Sequence, residues 1–498
     1  MQTWLGVLFA GSAFIVCVLH AGDTEELRFP PSRIAVIGAG IGGSSAAYFL
    51  RHKYGKHIQI DVFEKGEVGG RLATVDMEGA QYEAGGAVIH PLNLHMKTFV
   101  KELGLHVRSP TSSIVGIYNG DDFVFQESNW FLINIIKMLW YYGLNFIRMY
   151  MWVEDMLDKF MRIYRYQTFE YSFSSTESLL HALGGNDFIT KLNMTIDENM
   201  QKAGFSQKFI DEIVGPAMRV NYGQGVKING FVGSVSLAGT DSGLWAIEGG
   251  NKLVCSGLIY ASKAQLIKGI VTSVEEKIRP MKSGGTVKLY ELSYETSAGS
   301  QLGLYDIVII ATPLNRGLSE ITFLGFDPPI ETFSKHYQQT VATFVHGRIN
   351  TSFFGCAKPC ELSEVLTTSN PKLFFSSIGA VAPVKETESP YPGGLKIWKV
   401  FSPQPLTKDQ LNLLFESHHA VKVKTWLAYP HYDPPEKMPP IILHDRIYYL
   451  NSIEWAASAM EMSAISAKNI ALLSHHRWYG KNEQIDQEDL TERLKSEL

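Results

Sequence analysis

The stretch at residues 34–43, IAVIGAGIGG, decides the fold of this chain. A short apolar run leads into it, and residues 44–51, which read as a helix, follow it. Gly38 permits a tight turn, Gly40 lets the backbone approach a pyrophosphate, and Gly43 lets the helix lie close to the strand. The helix N-terminus then faces phosphates with unpaired N–H groups and partial positive charge. The stretch therefore predicts a Rossmann-like unit that binds a dinucleotide.

A carboxylate at the end of the next predicted strand supports this interpretation. Residues 58–63 read as a strand, and Glu64 follows them, 21 residues beyond Gly43. An acidic side chain at this position is expected to hydrogen-bond the ribose diol of the dinucleotide. The same negative charge repels a 2′-phosphate, so NADP is disfavoured.

The segment at residues 64–74, EKGEVGGRLAT, distinguishes NAD from FAD. A ribose-binding Glu followed by Gly69, Gly70 and Arg71 resembles the FAD-dependent amine oxidase and phytoene desaturase superfamily. In that superfamily the Gly-Gly-Arg turn runs along the FAD diphosphate. The resemblance therefore implies FAD as the cofactor, with Gly70 and Arg71 beside it.

Three later segments extend the resemblance. Residues 245–251 resemble the turn that returns to the flavin, and residues 305–313 read as a buried strand with a small-residue turn. The last flavin segment resembles residues 448–467, where Glu454 would meet the sugar chain of the cofactor and the helix start at Met462 would face the isoalloxazine. This segment has Ser-Ile where the superfamily often has Gly before the acidic residue.

The scattered motifs imply an α/β fold of amine-oxidase-like architecture, with a discontinuous Rossmann-like FAD domain and an α+β substrate domain. The predicted divisions are a signal peptide at 1–22, an FAD domain at 23–110, 235–320 and 440–478, a substrate domain at 111–234 and 321–439, and a C-terminal tail at 479–498.

Composition and the first residues indicate a secreted or lumenal globular protein. The net charge of −5 is spread over 498 residues without basic blocks, which argues against a nucleic-acid partner. The apolar run at 5–19 reads as a signal peptide, although the absence of Lys and Arg before it leaves a signal anchor open.

Asn193 and Asn350 lie in glycosylation sequons. Cys356 and Cys360 either close a small loop or form an incidental pair.

The aromatic-rich stretch at residues 129–161 has two interpretations. It is a helix pair broken at Gly143 and packed on the core, or it forms the wall of a long apolar pocket or a face that lies on a membrane. Its charged residues fall near one line of a helix. The second interpretation implies peripheral membrane or lipoprotein association.

Further stretches resemble the prenylcysteine oxidase family, also called prenylcysteine lyase, over nearly the whole mature chain. They are residues 83–96 (EAGGAVIHPLNLHM), 151–155 (MWVED), 159–164 (KFMRIY), 221–224 (NYGQ), 254–258 (VCSGL) and 454–459 (EWAASA). The resemblance implies oxidation of farnesylcysteine and geranylgeranylcysteine by O2 and water to cysteine, a prenyl aldehyde and H2O2. C1 of the prenyl group is allylic and bonded to sulfur, so both neighbours stabilise the cation left by hydride loss. The resemblance also implies a lysosomal location and a role in the breakdown of prenylated proteins.

The catalytic side chains are less well determined than the cofactor ligands. His90 follows the Gly85-Gly86 turn expected near the flavin, and is the candidate for positioning water or accepting a proton, unless it is a structural histidine bonded to backbone. Weaker candidates are His95, His346 and His431, and Arg71 or Arg219 is the candidate counter-charge for the amino acid end of the substrate. The spacing of Cys and His predicts no metal site.

Two alternatives remain open at this level. An oxidase or desaturase of the same superfamily with another apolar substrate would carry the same cofactor motifs. A non-catalytic prenyl binder, such as the Rab GDP-dissociation inhibitors, shares the architecture without the flavin chemistry. The intact glycine motifs and Glu64 argue against the binder.

Overall fold

A computed structural model describes most of the chain. The described residues are 29–109, 114–239, 243–280, 284–315, 317–331, 333, 336–356, 363–385, 395–488 and 490. The predicted signal peptide, Cys360 and residues 491–498 of the predicted tail lie outside them. Cys356 is disulfide-bonded, and Cys255 is a free, buried thiol.

Helices make up much of the described chain. In chain order they are α1 (Ile41–Tyr54), α2 (Leu94–Glu102), α3 (Phe131–Tyr142), α4 (Asn145–Phe160), α5 (Arg162–Thr168), α6 (Thr176–Gly184), α7 (Asn186–Asn193), α8 (Ile196–Lys202), α9 (Gln207–Phe209), α10 (Gly215–Tyr222), α11 (Gly230–Ala238), α12 (Leu253–Ser262), α13 (Lys408–Leu414) and α14 (Met460–Tyr479). A π-helical turn at Ile210–Val214 joins α9 to α10, and 3-10 turns occupy Leu450–Trp455 and Asn482–Gln484.

The strands of the described residues form three larger sheets and two small ones. In chain order they are β1 (Arg33–Ile37), β2 (Gln59–Glu64), β3 (Thr74–Met77), β4 (Ala80–Glu83), β5 (Val107–Arg108), β6 (Val115–Tyr118), β7 (Phe123–Gln126), β8 (Ala246–Ile247), β9 (Gln265–Lys268), β10 (Ile270–Pro280), β11 (Thr286–Thr296), β12 (Gly299–Tyr305), β13 (Ile307–Ile310), β14 (Thr322–Leu324), β15 (Tyr337–Ile349), β16 (Glu364–Thr367), β17 (Ser377–Ala380), β18 (Lys396–Ser402), β19 (Phe415–Pro430), β20 (Ile442–His444) and β21 (Ile447–Tyr449).

The predicted Rossmann-like unit forms the centre of a six-stranded sheet. Its strand order is β20-β21-β13-β1-β2-β9, and every pair is parallel except β20 with β21. The chain passes from β1 to β2 on one side, while β13 and β21 are added later on the other side. The carboxyl end of β1 is therefore a topological switch point, where open α/β sheets bind their ligands.

Both faces of this sheet are covered, which explains its continuous apolar strands. Ile34 and Val36 of β1 pack in one core cluster with α1 and α14, whereas Ala35 and Ile37 pack in another with the four-stranded sheet β12-β11-β10-β14. Side chains alternate between the two faces of a strand, so each face needs its own apolar set. The result is three layers: helices, the six-stranded sheet and the four-stranded sheet.

Two element boundaries differ from the sequence-based expectation. Helix α1 begins at Ile41 rather than Ser44, so Gly43 lies inside the helix. Strand β13 begins at Ile307, because Tyr305 ends β12 in the neighbouring sheet. Asp306 lies between the two strands, and its carboxylate accepts hydrogen bonds from the backbone N–H groups of Ser32 and Arg33 at 2.8 and 2.9 Å. This contact places β13 beside β1.

The remaining elements form a second region of mixed sheet and helices. The seven-stranded sheet has the order β19-β15-β18-β17-β16-β6-β7, and a large core cluster joins α3–α11 to the segment after β21. The α/β class and the division into a dinucleotide sheet and a mixed region are confirmed. The exact domain boundaries stay a prediction.

The aromatic-rich stretch is a helix pair, α3 and α4. Gly143 ends α3 with a φ of 58°, in the region that glycine adopts most readily. The inner side chains Met138, Tyr142 and Met156 are buried. Within the described residues, no helix is both long and apolar enough to cross a membrane.

Candidate active site

The first glycine turn leaves no room for side chains. Gly38 has a φ of +108°, and a Cβ there would lie 2.8 Å from the carbonyl oxygen of Ala311. A Cβ on Gly43 would lie 1.9 Å from the carbonyl oxygen of Gly38. Gly38 N–H donates to the carbonyl of Phe63 at 2.8 Å, which ties the turn to β2. The turn holds α1 against the carboxyl end of β1, as a phosphate-binding turn requires.

The Gly-Gly-Arg turn lies directly against this first turn. Gly69 N–H donates to the carbonyl of Ala39 at 2.9 Å, and Gly40 forms a bridge with Gly69. Gly70 has a φ of +59°, and a Cβ on it would lie 3.3 Å from Cα of Gly40. Two glycine motifs distant in sequence thus make one continuous backbone surface. Such a surface can approach a diphosphate closely.

Glu64 is fixed at the edge of this surface. Its Oε2 accepts from the N–H of Ala39 at 2.9 Å, and its Oε1 accepts from the N–H of Gly66 at 2.8 Å. Each carboxylate oxygen has a second lone pair that can accept a hydrogen bond. The position fits the predicted ribose contact, which stays a prediction.

Arg71 and Glu454 form an ion pair across 383 residues of sequence. Glu454 is 1% exposed, and it also accepts from Nδ2 of Asn451 at 2.7 Å and from the hydroxyl of Tyr337 at 3.1 Å. Arg71 Nη1 donates to the carbonyl of Ala428 at 2.7 Å. Burial alone would lower the pKa of Arg71, but the charge and hydrogen bond of Glu454 outweigh it and raise this pKa above its ordinary value. The pair therefore joins the amino-terminal cofactor segment to the carboxyl-terminal one.

Sequence reasoning missed the other members of this network. Tyr337 lies on β15, where an aromatic residue looks like any other strand residue. Asn451 lies three residues before Glu454 in the 3-10 turn, and this short spacing could have indicated the contact between the two side chains. The second contact of Arg71 is the backbone carbonyl of Ala428, which carries no sequence signal.

The start of α14 lies beside the Gly85-Gly86 pair. A Cβ on Gly86 would approach Cε of Met460 to 3.6 Å, and Met462 is buried. No side chain caps this helix, so its first N–H groups are available to an electron-rich group. This geometry fits the predicted flavin-facing helix start.

Glu461, which sequence reasoning also missed, sits in the first turn of α14 and is buried. Its carboxylate accepts from the backbone N–H of His95 at 2.7 Å, the N–H of Met96 at 3.0 Å and the hydroxyl of Tyr164 at 2.8 Å. Burial raises the pKa of Glu461 to about 7 in spite of these donors. The residue links the helix start to α2 and α5.

The candidate histidines occupy different environments. Nδ1 of His90 accepts from the N–H of Leu92 at 3.1 Å, which places the proton of the neutral ring on Nε2. His95 is buried with Nε2 at 2.8 Å from Gln167 Oε1, and burial lowers its pKa to about 4. His346 lies on β15, 3.6 Å from Glu78, and His431 follows β19. A catalytic role for His90 stays a prediction.

Arg219 is held by protein groups. It donates to the hydroxyl of Thr367 at 3.0 Å and to the carbonyl of Phe375 at 2.9 Å, and burial lowers its pKa. In the part of the chain that the structure describes, no cluster of three His, Cys, Asp or Glu side chains could hold a metal ion.

The residues present fit FAD. The cradle lacks side chains where a diphosphate would lie, a carboxylate stands at its ribose edge, and an uncapped helix start lies beyond it. The chain therefore carries an FAD site of the Rossmann type.

Comparison with known proteins agrees with this site. The family model for prenylcysteine lyase matches residues 125–487, and the model for an NAD(P)-binding Rossmann-like domain matches residues 36–103. The chain is 58% identical to prenylcysteine oxidase 1 of Homo sapiens, covering 98% of this chain and 97% of that protein. It is 42% identical to prenylcysteine oxidase 1-like of Homo sapiens, covering 99% of each chain.

Solved structures extend the likeness to the fold. Cyclohexylamine oxidase from Brevibacterium oxydans superimposes with a TM-score of 0.55 at 12% identity, covering 90% of this chain and 99% of that one. At this identity the match supports the architecture alone. The family model and the relatives of nearly full length show that the chain belongs to the prenylcysteine lyase family.

Proposed function

We propose that this protein is an FAD-dependent oxidase that cleaves prenyl-L-cysteines, including farnesylcysteine and geranylgeranylcysteine. One thioether, one O2 and one water give cysteine, a prenyl aldehyde and H2O2. The observation that carries the proposal is the 58% identity to prenylcysteine oxidase 1 over 98% of the chain, combined with an intact FAD cradle.

The chain supplies the binding groups for the cofactor. The glycine surface takes the diphosphate, Glu64 takes the ribose diol, and Arg71 with Glu454 holds the two cofactor segments together. When bound, FAD accepts two electrons from the carbon next to sulfur and passes them to O2.

The same region also offers an apolar environment for a prenyl chain. Trp455, Ala456 and Met462 of the last cofactor segment belong to one core cluster with Met138 and Met156 of the helix pair. A low-polarity region excludes water until the thioether has been oxidised. His90 is the proposed group for orienting the water that follows.

Purified protein loaded with FAD should form H2O2 and prenyl aldehyde in equal amounts from farnesylcysteine under air. An S-alkyl cysteine with a saturated chain is the matched substrate control, because it lacks the allylic stabilisation at C1. A yellow protein that produces neither product would overturn the proposal in favour of another oxidase. A colourless protein that binds the prenyl group would indicate a non-catalytic binder.

We also propose that the protein follows the secretory pathway to the lysosome as a glycoprotein and associates peripherally with membrane or lipoprotein. The apolar run at 5–19 and the two sequons support the route. Asn193 is exposed at the end of α7, and Nδ2 of Asn350 donates to the carbonyl of Leu413 at 3.0 Å. Endoglycosidase sensitivity that is lost in N193Q/N350Q, and co-sedimentation with lysosomes, would test this part.

A further inference from the structure

The outer side of the α3–α4 helix pair exposes a concentration of large apolar side chains. The most exposed are Trp130 (71%), Phe131 (79%), Leu132 (66%), Trp140 (87%) and Leu144 (68%), and further apolar residues continue to Met151. We call this surface the α3–α4 apolar face. Soluble proteins scatter such residues singly, whereas a contiguous exposed group marks a surface that another apolar phase covers.

From the chemistry of this face we infer that it docks on a lipid bilayer that carries anionic headgroups. Residues 129–153, which contain the exposed apolar side chains, include Lys137 and Arg148 but no Asp or Glu. The acidic residues of α4 follow at its carboxyl end, as Glu154, Asp155 and Asp158. Lys208 lies beside them, with its ammonium group 5.7 Å from the centre of the Tyr141 ring. Cations and Trp or Tyr next to aliphatic side chains are the composition of helices that lie in a membrane interface.

The shape of the face favours a bilayer over a second copy of the chain. The five most exposed side chains protrude into solvent, which suits insertion between lipids better than packing against a complementary protein surface. The helices are 12 and 16 residues long, too short to cross a bilayer, so they would lie along it. Gly143 separates the two helices and lets both present their outer sides.

The inner side of the same helices packs on the core of the second region. Met138, Tyr142 and Met156 belong to the large cluster that extends through α5–α11 to Trp455 and Met462. Docking through the outer side would therefore place this region of the molecule against the membrane. How a prenyl substrate reaches the site from the membrane rests on the proposed function, but the docking itself does not.

Vesicle sedimentation of the FAD-loaded protein tests the inference. We expect binding to vesicles of phosphatidylcholine with phosphatidylserine, weaker binding to phosphatidylcholine alone, and at least about tenfold weaker binding of W140S/L144S, because two large apolar side chains no longer enter the bilayer. The control is I278S/L302S, which removes two exposed apolar side chains (65% each) from the four-stranded sheet.

The outcomes separate the alternatives. Failure of the wild type to bind vesicles, or equal binding by W140S/L144S and the wild type, would overturn the inference. A wild type that is dimeric without lipid and a monomeric W140S/L144S would assign the face to a second copy instead. Activity on farnesylcysteine in detergent should be equal in all three proteins. Vesicle binding by a protein that is inactive in every assay would reject the proposed function and retain the docking surface.

Discussion

The buried carboxylate of Glu461 makes the stability of this protein depend on pH in a direction opposite to that of most acidic residues. Replacing it by Gln keeps the shape of the side chain and removes its titration. The amide nitrogen of Gln cannot accept a hydrogen bond, so at least one surrounding donor loses its acceptor and stability falls by a similar amount at every pH. As the pH rises, the wild type alone loses the contribution of its protonated carboxyl group, so the stability of the variant relative to the wild type should increase. The surrounding donors, from His95, Met96 and Tyr164, remain in place.

The size of the effect follows from the pKa. Burial raises the pKa of Glu461 from 4.5 to about 7. A rise of about 2.5 in pKa corresponds to about 3 kcal/mol of unfolding free energy. Between these two values the folded state binds more protons than the unfolded state. The contribution is therefore fully present below pH 4.5 and is lost as the pH rises through 7.

The variant must be compared with the wild type at each pH, because the contribution of His95 to stability changes with pH in the opposite direction. Its pKa falls from 6.5 to about 4, so its contribution is present above pH 6.5 and is lost as the pH falls towards 4. The wild-type profile contains both effects, and subtracting it from that of E461Q isolates Glu461. Urea unfolding of the FAD-loaded proteins from pH 4.5 to 8, followed by tryptophan fluorescence and circular dichroism, provides the two profiles.

We expect the unfolding free energy of E461Q relative to the wild type to rise by about 3 kcal/mol between pH 4.5 and pH 8. D158N, which removes an exposed carboxylate from α4, is the control and should show no comparable divergence. A difference between E461Q and the wild type that stays constant with pH would refute the reasoning.

Three further substitutions test the cofactor cradle. Glu64→Arg should weaken FAD retention, because it removes the ribose acceptor, and an unchanged ratio of flavin to protein absorbance would contradict this role. Gly43→Ala should lower unfolding stability by about 1–3 kcal/mol and reduce flavin content, because its Cβ would lie 1.9 Å from the carbonyl oxygen of Gly38; normal thermal unfolding would count against the close approach. Arg71→Met should cost about 3–5 kcal/mol in the FAD-free protein, because it leaves the buried Glu454 without its partner. Adding E454Q should recover most of that loss, and strict additivity in this double-mutant cycle would mean that the pair is not coupled.

The sequence by itself determined the dinucleotide unit and the class of fold. The backbone geometry of a few consecutive residues requires Gly38, Gly40 and Gly43. Their spacing can therefore be recognised in the sequence without knowledge of any distant contact. The position of Glu64 could be predicted for the same reason, because it is set by the length of one strand–helix–strand unit. The break of the aromatic-rich stretch at Gly143 is equally local.

Only the tertiary structure decided which distant groups share the site and which surfaces remain exposed. Arg71 meets Glu454 because β13 and β21 are added beside β1, a consequence of sheet order that no local pattern encodes. Tyr337 reaches the same carboxylate from β15 of the seven-stranded sheet. The burial of Glu461 depends on α2 and α5 covering one helix start. For α3 and α4, helical periodicity shows which residues share a face, but both faces are largely apolar. Which of them packs inward depends on the neighbours that the completed fold brings to it.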